Sequence, residues 1–174
     1  MVVAGDAFTV KGAPTLEIND DMHVRGQMLE AIPENSVVVW DTSRDEQSAQ
    51  WGEVITLTAR RNGCRGAIVD GGVRDTRQVL RQKFPLWVRY RTSSAMMGRF
   101  RITGWGIPVE IGGVSIFPGD IVFADIDGAL IVPRSLAHEV LTRSEEIVRG
   151  EARIKQWVND GVSVDEVIDR GGYF

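Results

Sequence analysis

The sequence predicts an α/β domain over residues 1–133 followed by a helical tail over 134–174, and three observations carry that reading. Short β-branched runs alternate with longer stretches of helical period through the first half, the pattern of strands separated by helices. From Val109 onward, short apolar runs are divided by glycine-bearing turns, the pattern of antiparallel strands. After Pro133, apolar residues recur at helical spacing over 136–157.

Taken in chain order, residues 7–10 form a first strand and 20–31 a helix with Asn19 or Asp20 as its cap. Residues 36–40 are a second strand, Ser-Val-Val-Val-Trp. A polar loop leads into a helix over 52–62, and a buried strand at 67–69 runs into the glycine turn of Asp70-Gly-Gly. Asp75 precedes a helix over 76–82, and 86–89 is another strand. The turns Gly112-Gly113, Pro118-Gly119 and Asp127-Gly128 then separate strands at 109–111, 114–116, 121–124 and 129–132 into a series of hairpins. Val140, Leu141, Ile147, Val148, Ile154 and Trp157 give the tail helix one apolar stripe, suited to packing on the domain or on a neighbouring subunit.

A chain of 174 residues can bury roughly 70% of its unfolded surface, so a core without staples is feasible. A net charge of -4 argues against a nucleic-acid partner. The densest basic stretch, Arg77 to Arg101, is spread over a helix and strands and reads as a solvated or subunit-facing surface. Cys64 stands alone and the two histidines, His23 and His138, are far apart, which excludes an intramolecular disulfide and cysteine- or histidine-rich metal sites. Any metal would be held by oxygen, which points to Mg2+ or Mn2+. With no secretion signal at the start and no long apolar span, the chain is expected in the cytoplasm, away from membranes.

Twenty residues separate Glu53 from Arg74, a span that fits one helix, one turn and one buried strand, and so can bring its two ends together. If Gly52 opens the helix, the backbone N–H groups of Gly52, Glu53, Val54 and Ile55 form an anion site for which a carboxylate is a natural guest. The plainer reading has Gly52 separating two turns and Glu53 serving the helix dipole. At the strand exit, Arg74 offers a planar fork for a carboxylate and Asp75 one hard oxygen for a divalent ion. The plainer reading of Asp75 is a helix cap paired with Arg74. Asp125 and Asp127 are read as a turn, His138 as a surface residue of the tail helix, and Met96-Met97 as core or interface.

Three segments, 51–55 (Trp-Gly-Glu-Val-Ile), 66–75 (Gly-Ala-Ile-Val-Asp-Gly-Gly-Val-Arg-Asp) and 112–128, occur in order and at fitting distances in a way that resembles the RraA-like family, which includes the class II 4-hydroxy-4-methyl-2-oxoglutarate aldolases. The resemblance implies a swivelling β/β/α fold assembled as a homotrimer or a multiple of it, with sites near subunit boundaries. It implies substrate binding by the 52–55 backbone and Arg74, and a divalent metal on Asp75. Some members are regulators that bind a ribonuclease and lack lyase activity; they tend to lack the acidic residue before the spacer and the Arg-Asp pair, both present here. In some lyases of the family a tail carboxylate from a neighbouring subunit activates a water, and Glu145, Glu146 and Glu151 all lie in the corresponding region. The implied chemistry is a pyruvate enolate, reached by retro-aldol cleavage of a 4-hydroxy-2-oxo acid or by decarboxylation of oxaloacetate. Arg74 would stabilise the developing charge and Glu53 move the proton. A non-catalytic binding protein is the rival reading.

Overall fold

The computed structural model describes residues 2–18 and 21–173, and the chain divides into two compact units, Met1–Arg134 and Ser135–Phe174. The first is built on a mixed eight-stranded sheet whose central path runs β10-β9-β1-β2-β4-β3. β1 (Val3–Pro14) is its longest strand and pairs in parallel with β2 (Ser36–Asp41), with Asp6 opposite Ser36 and Lys11 opposite Asp41. On its other edge β1 takes β9 (Ile121–Ala124) along its first half and β6 (Phe100–Trp105) along its second. β10 (Ala129–Val132) closes the β9 edge. β4 (Gly66–Val73) pairs in parallel with β2, with the short β3 (Ala49–Trp51) beyond β2, and with β5 (Leu86–Arg91) on its far edge.

The alternation of side chains along β2 divides the core in two. Val38 and Trp40 face a cluster with Phe8, Val10, Val69 and Phe100, covered by α1 (Met22–Glu30), α2 (Glu53–Arg61) and α3 (Thr76–Arg81). Val37 and Val39 face the opposite side, where β7 (Val109–Ile111) and β8 (Val114–Ile116) form a separate two-stranded sheet that buries Val109 and Ile116 against them. Hairpin, sheet and helices are the three layers of a β/β/α domain. All five residues Val37 to Asp41 are buried, which explains why β2 reads as a continuous apolar run instead of an alternating one.

The strands expected at 36–40, 67–69 and 86–89 and the helices at 52–62 and 76–82 are present, with β4 and β5 extending further along the chain. The cap expected at Asn19 or Asp20 lies outside the described residues; α1 begins behind Asp21. The hairpin series needs correction at its middle turn. β8 and β9 do not pair across Pro118-Gly119, because that turn is bound to β1 instead: Gly119 N–H donates to Ala7 C=O at 3.0 Å and Ala7 N–H to Asp120 C=O at 2.8 Å. The buried Asp120 carboxylate fixes the corner, accepting from the Phe117 and Arg134 amides at 2.8 and 3.0 Å. Two strands, β3 and β6, are additional to those expected from the sequence; Trp105 ends β6 opposite Val10.

In the second unit α4 (Ala137–Asn159) turns back into α5 (Val164–Asp169), whose Ser163 caps the Glu166 amide. Ile154 and Val167 are buried between them, and the Arg170 guanidinium lies 5.3 Å over the Trp157 ring. Among the described residues no helix is long and apolar enough to cross a membrane.

Candidate functional site

β3 and β4 run parallel, with Trp51 opposite Val73, so they leave the sheet side by side at their carboxyl ends, the edge at which open α/β sheets bind ligands. The Arg74 N–H donates to Trp51 C=O at 3.0 Å and carries the pairing one step past β4. From this level Gly52 opens α2 while Asp75 opens α3. A Cβ on Gly52 would lie 2.8 Å from Asp75 Oδ2 and 3.1 Å from Arg74 Cγ. Its backbone is extended at φ -172°, so a side chain here would meet a limit of space and not of conformation, and the Asp75 carboxylate would have to move.

Asp75 stands at the N-cap of α3, yet its side chain makes no capping bond there. Its backbone is left-handed at φ 54° and ψ 33°, a conformation that aspartate tolerates better than most residues and that collects at ligand sites. The carboxylate points instead across to α2: Oδ2 accepts from the Glu53 N–H at 3.2 Å and lies 3.7 Å from Arg74 Nε. Two readings change. Asp75 is not a side-chain cap of its own helix, and the Glu53 amide is already engaged by a carboxylate of this chain. The first intrahelical bond of α2 runs from Thr56 N–H to Gly52 C=O, leaving the Gly52, Val54 and Ile55 amides without an intrahelical acceptor.

These groups border a hollow of about 240 Å³ lined by Gly52, Val54, Ile55, Arg74 and Asp75 together with Met22, Arg25, Ala95, Met96 and Met97. Trp51 closes its base, fully buried, with Nε1 donating to Thr56 Oγ1 at 2.8 Å and its ring stacked on Phe84. The structure therefore brings together Gly52, Val54, Ile55, Arg74 and Asp75. The Glu53 side chain is half-buried and does not line the hollow; Glu53 reaches the site through its amide. Arg74 and Asp75 also border a neighbouring depression with Arg91, Thr92 and Ser93. A larger one of about 810 Å³, between Leu16, Arg44, Glu46 and Arg99, holds none of the candidate site residues Gly52 to Ile55, Arg74 and Asp75.

Among the described residues no three His, Cys, Asp or Glu side chains cluster to hold a metal. Asp75 uses only Oδ2 on Glu53 and its side chain is 38% exposed, so it fits as a single carboxylate ligand to an ion that draws its remaining shell from water and substrate. That is the habit of magnesium.

Directly behind the site lies a polar network that sequence reasoning missed. Gln50, with no exposed surface, donates to Asp45 Oδ2 at 2.7 Å and to Ser48 Oγ at 3.0 Å, and accepts from the Gly72 N–H at 2.8 Å. Asp45 also accepts from the Ser48 amide and hydroxyl and from Tyr90 Oη at 3.2 Å. Burial alone would push the Asp45 carboxyl up, but the hydrogen bonds from Ser48, Gln50 and Tyr90 outweigh it and hold it below the ordinary carboxylate range. Burial, with the Asp45 charge beside it, drives the Tyr90 phenol well up, so it remains a donor. The run Asp45-Glu-Gln-Ser before Ala49-Gln50-Trp51 was the available signal, and it looks the same as a solvated loop.

Elsewhere, Asp125 and Asp127 form a turn in which Asp125 Oδ1 accepts the Asp127 amide at 2.8 Å. His138 is exposed on α4. Of the tail carboxylates, Glu146 pairs with Arg143 at 2.9 Å and Glu151 with Lys155 at 3.1 Å, while Glu145 is exposed.

Comparison with known proteins adds the following. The RraA-like family model, described as Aldolase/RraA, matches residues 1–131. Protein DlpA of Legionella pneumophila is 30% identical over 95% of this chain, and the chain spans only 27% of that protein. A Halalkalibacterium halodurans protein with the provisional name 4-hydroxy-4-methyl-2-oxoglutarate aldolase is 31% identical, over 92% of this chain and 73% of its own. A crystal structure described as one of novel cellulases from gut-associated microbes superposes with a TM-score of 0.84 at 50% identity, over 87% of this chain and 68% of that one. RraAS2 of Streptomyces coelicolor, described as an unusual member of the RNase ES inhibitor RraA family, gives a TM-score of 0.78 at 28% identity, over 87% and 75%.

Proposed function

The chain belongs to the RraA-like family, and from that premise we propose that it is a divalent-metal-dependent lyase that forms a pyruvate enolate from small 2-oxo acids. The observation that carries the reading is the meeting of Arg74, Asp75 and the first turn of α2 in one hollow. The Val54 and Ile55 amides and the Arg74 fork together suit a carboxylate flanked by a 2-oxo group. Asp75 would hold Mg2+ or Mn2+, and when bound such an ion supplies a Lewis acid for the 2-oxo oxygen.

In retro-aldol cleavage the C4 hydroxyl loses its proton, the C3–C4 bond breaks, and its electron pair becomes the enolate, which then takes a proton at C3 to give pyruvate. Arg74 is placed to stabilise the developing negative charge, a contribution of roughly 3 kcal/mol for one well-aimed donor. The Glu53 carboxylate, set away from the hollow, would take the hydroxyl proton through a water. Oxaloacetate decarboxylation shares the enolate, with CO2 as the leaving group. An activity on cellulose would require two carboxylates facing each other across a cleft. Among the described residues Asp75 is the only carboxylate lining this hollow.

Leu141 and Val148 on α4 are 59% and 64% exposed, and a homotrimer or a multiple of it would cover such a stripe. The second reading, a non-catalytic regulator that binds a ribonuclease, draws on the likeness to RraAS2. One assay separates the two: pyruvate release from 4-hydroxy-4-methyl-2-oxoglutarate or oxaloacetate with magnesium or manganese, stopped by a chelator. Rates equal to the metal-only background on both substrates would return the protein to the regulator reading.

A further inference from the structure

β3 leads into the half of the site that α2 supplies, yet it has little pairing of its own. It is three residues long, ends the strand path, and meets β4 at two register pairs with a shift between them, Ala49 opposite Gly72 and Trp51 opposite Val73. A second hold on it comes from the far edge of β4. Tyr90, on β5, passes its ring across β4 and places Oη 2.9 Å from Ser48 C=O, 3.1 Å from Asp45 C=O and 3.2 Å from Asp45 Oδ2, so its one proton always has an acceptor just ahead of β3. The crossing is possible because β4 has no side chain there: a Cβ on Gly72 would lie 2.6 Å from the Tyr90 ring and 2.7 Å from Ser48 C=O. Beyond Tyr90 the chain keeps hold of the same two strands. Thr92 N–H donates to Val73 C=O at 3.0 Å, next to Arg74, and Ser94 C=O accepts from the Ala49 N–H at 2.9 Å. Tyr90 itself does not line the hollow, so whatever it does for the site it does through the strands.

We infer that Tyr90 is a positioning residue, its phenol holding β3 at the level on β4 that sets Gly52 and the first turn of α2 against Arg74 and Asp75. Two bonds cross the gap it controls: Arg74 N–H to Trp51 C=O at 3.0 Å and Glu53 N–H to Asp75 Oδ2 at 3.2 Å. Each joins the β3–α2 segment to the exit of β4, so each loosens when β3 slides. A shift of about 1 Å is enough to misalign donors aimed at one small ligand. The positioning stands on the geometry; its effect on turnover rests on the lyase reading.

The test is Tyr90→Phe, which keeps the ring over Gly72 and removes only the hydroxyl. Amide hydrogen exchange followed by NMR should accelerate about 5- to 10-fold at Arg74 and Glu53, the loss of one hydrogen bond, while the amides of β2 stay within about twofold of the parent. With 4-hydroxy-4-methyl-2-oxoglutarate and magnesium, kcat should fall about 10-fold and KM stay within about threefold, because misaligned donors are felt most where charge develops. Gly72→Ala, whose methyl group meets the Tyr90 ring, should reproduce the exchange pattern and carries the test if the Phe variant does not fold. Parent-like exchange at Arg74 and Glu53, or acceleration spread evenly through the sheet, overturns the inference, as does a variant whose kcat equals that of an active parent. Local acceleration in the variant, with no pyruvate released even by the parent, would leave the positioning role standing and remove the lyase assignment alone.

Discussion

Two polar regions are built on the same pair of strands and behave in opposite ways. At the level of Gln50 and Gly72, β3 and β4 are locked by a buried network in which every polar group named has a partner. Two residues further on, at Gly52 and Arg74, the same strands end in exposed charges: Arg74 and Asp75 are 49% and 38% exposed, beside first-turn amides that have no intrahelical acceptor. The first region spends its hydrogen bonds on rigidity, the second keeps them available. A site whose ligands come from two strand exits needs such a frame behind it, because a small shift of either strand would move Arg74 away from the α2 amides.

The sharpest way to break the comparison is Asp75→Asn. Since the Asp75 side chain does not cap α3, the change should leave the fold intact, and loss of the carboxylate should lower pyruvate release about 1000-fold and weaken magnesium binding in parallel. Parent-like turnover and metal affinity would show that the exit is as structural as the network behind it. Arg74→Lys should cost roughly 30- to 1000-fold in activity with little change in melting temperature, since an ammonium cannot reproduce the guanidinium fork. Steady-state kinetics equal to the parent's would make Arg74 a surface residue.

The opposite signature is expected one layer in. Gln50→Leu strands the Gly72 N–H and removes a donor from Asp45, so it should destabilise the fold by about 2–3 kcal/mol in urea titration. Unaltered stability would mean that water replaces the amide. Asp45→Asn should show a smaller, pH-dependent effect. The folded-state carboxyl titrates below its ordinary value, so its contribution is complete above the unfolded value of about 3.9 and is lost as pH falls through the folded one. The variant should therefore lose less stability than the parent on acidification below about pH 4, measured as melting temperature against pH. Smallest of all, Asp127→Asn, in a solvent-facing turn, should stay within about 0.5 kcal/mol of the parent and leave turnover unchanged. A loss of metal-dependent activity there would mean that the acidic turn had been misread.

Much of this molecule could be read from local pattern. Continuous burial made β2 an apolar run, the helical period delimited α2, and the twenty-residue return from Glu53 to Arg74 follows from one helix, one turn and one strand. β3 was hidden because three residues carry no period, and β6 because Phe-Arg-Ile-Thr-Gly-Trp is broken by an arginine and a glycine. Arg25 and the Asp45 network were hidden for a different reason: nothing along the chain says that a helix before β2 lines a hollow made by residues after β3, or that a charged loop is buried. The sequence by itself determined the elements, the strand exits and the residue types gathered there, since periodicity and turn chemistry are local. Only the tertiary structure decided that Asp75 turns to the amide of Glu53 instead of its own helix, and that Gly52 is a matter of space. Both depend on two distant segments being held at van der Waals distance, and that is settled by packing of the whole sheet.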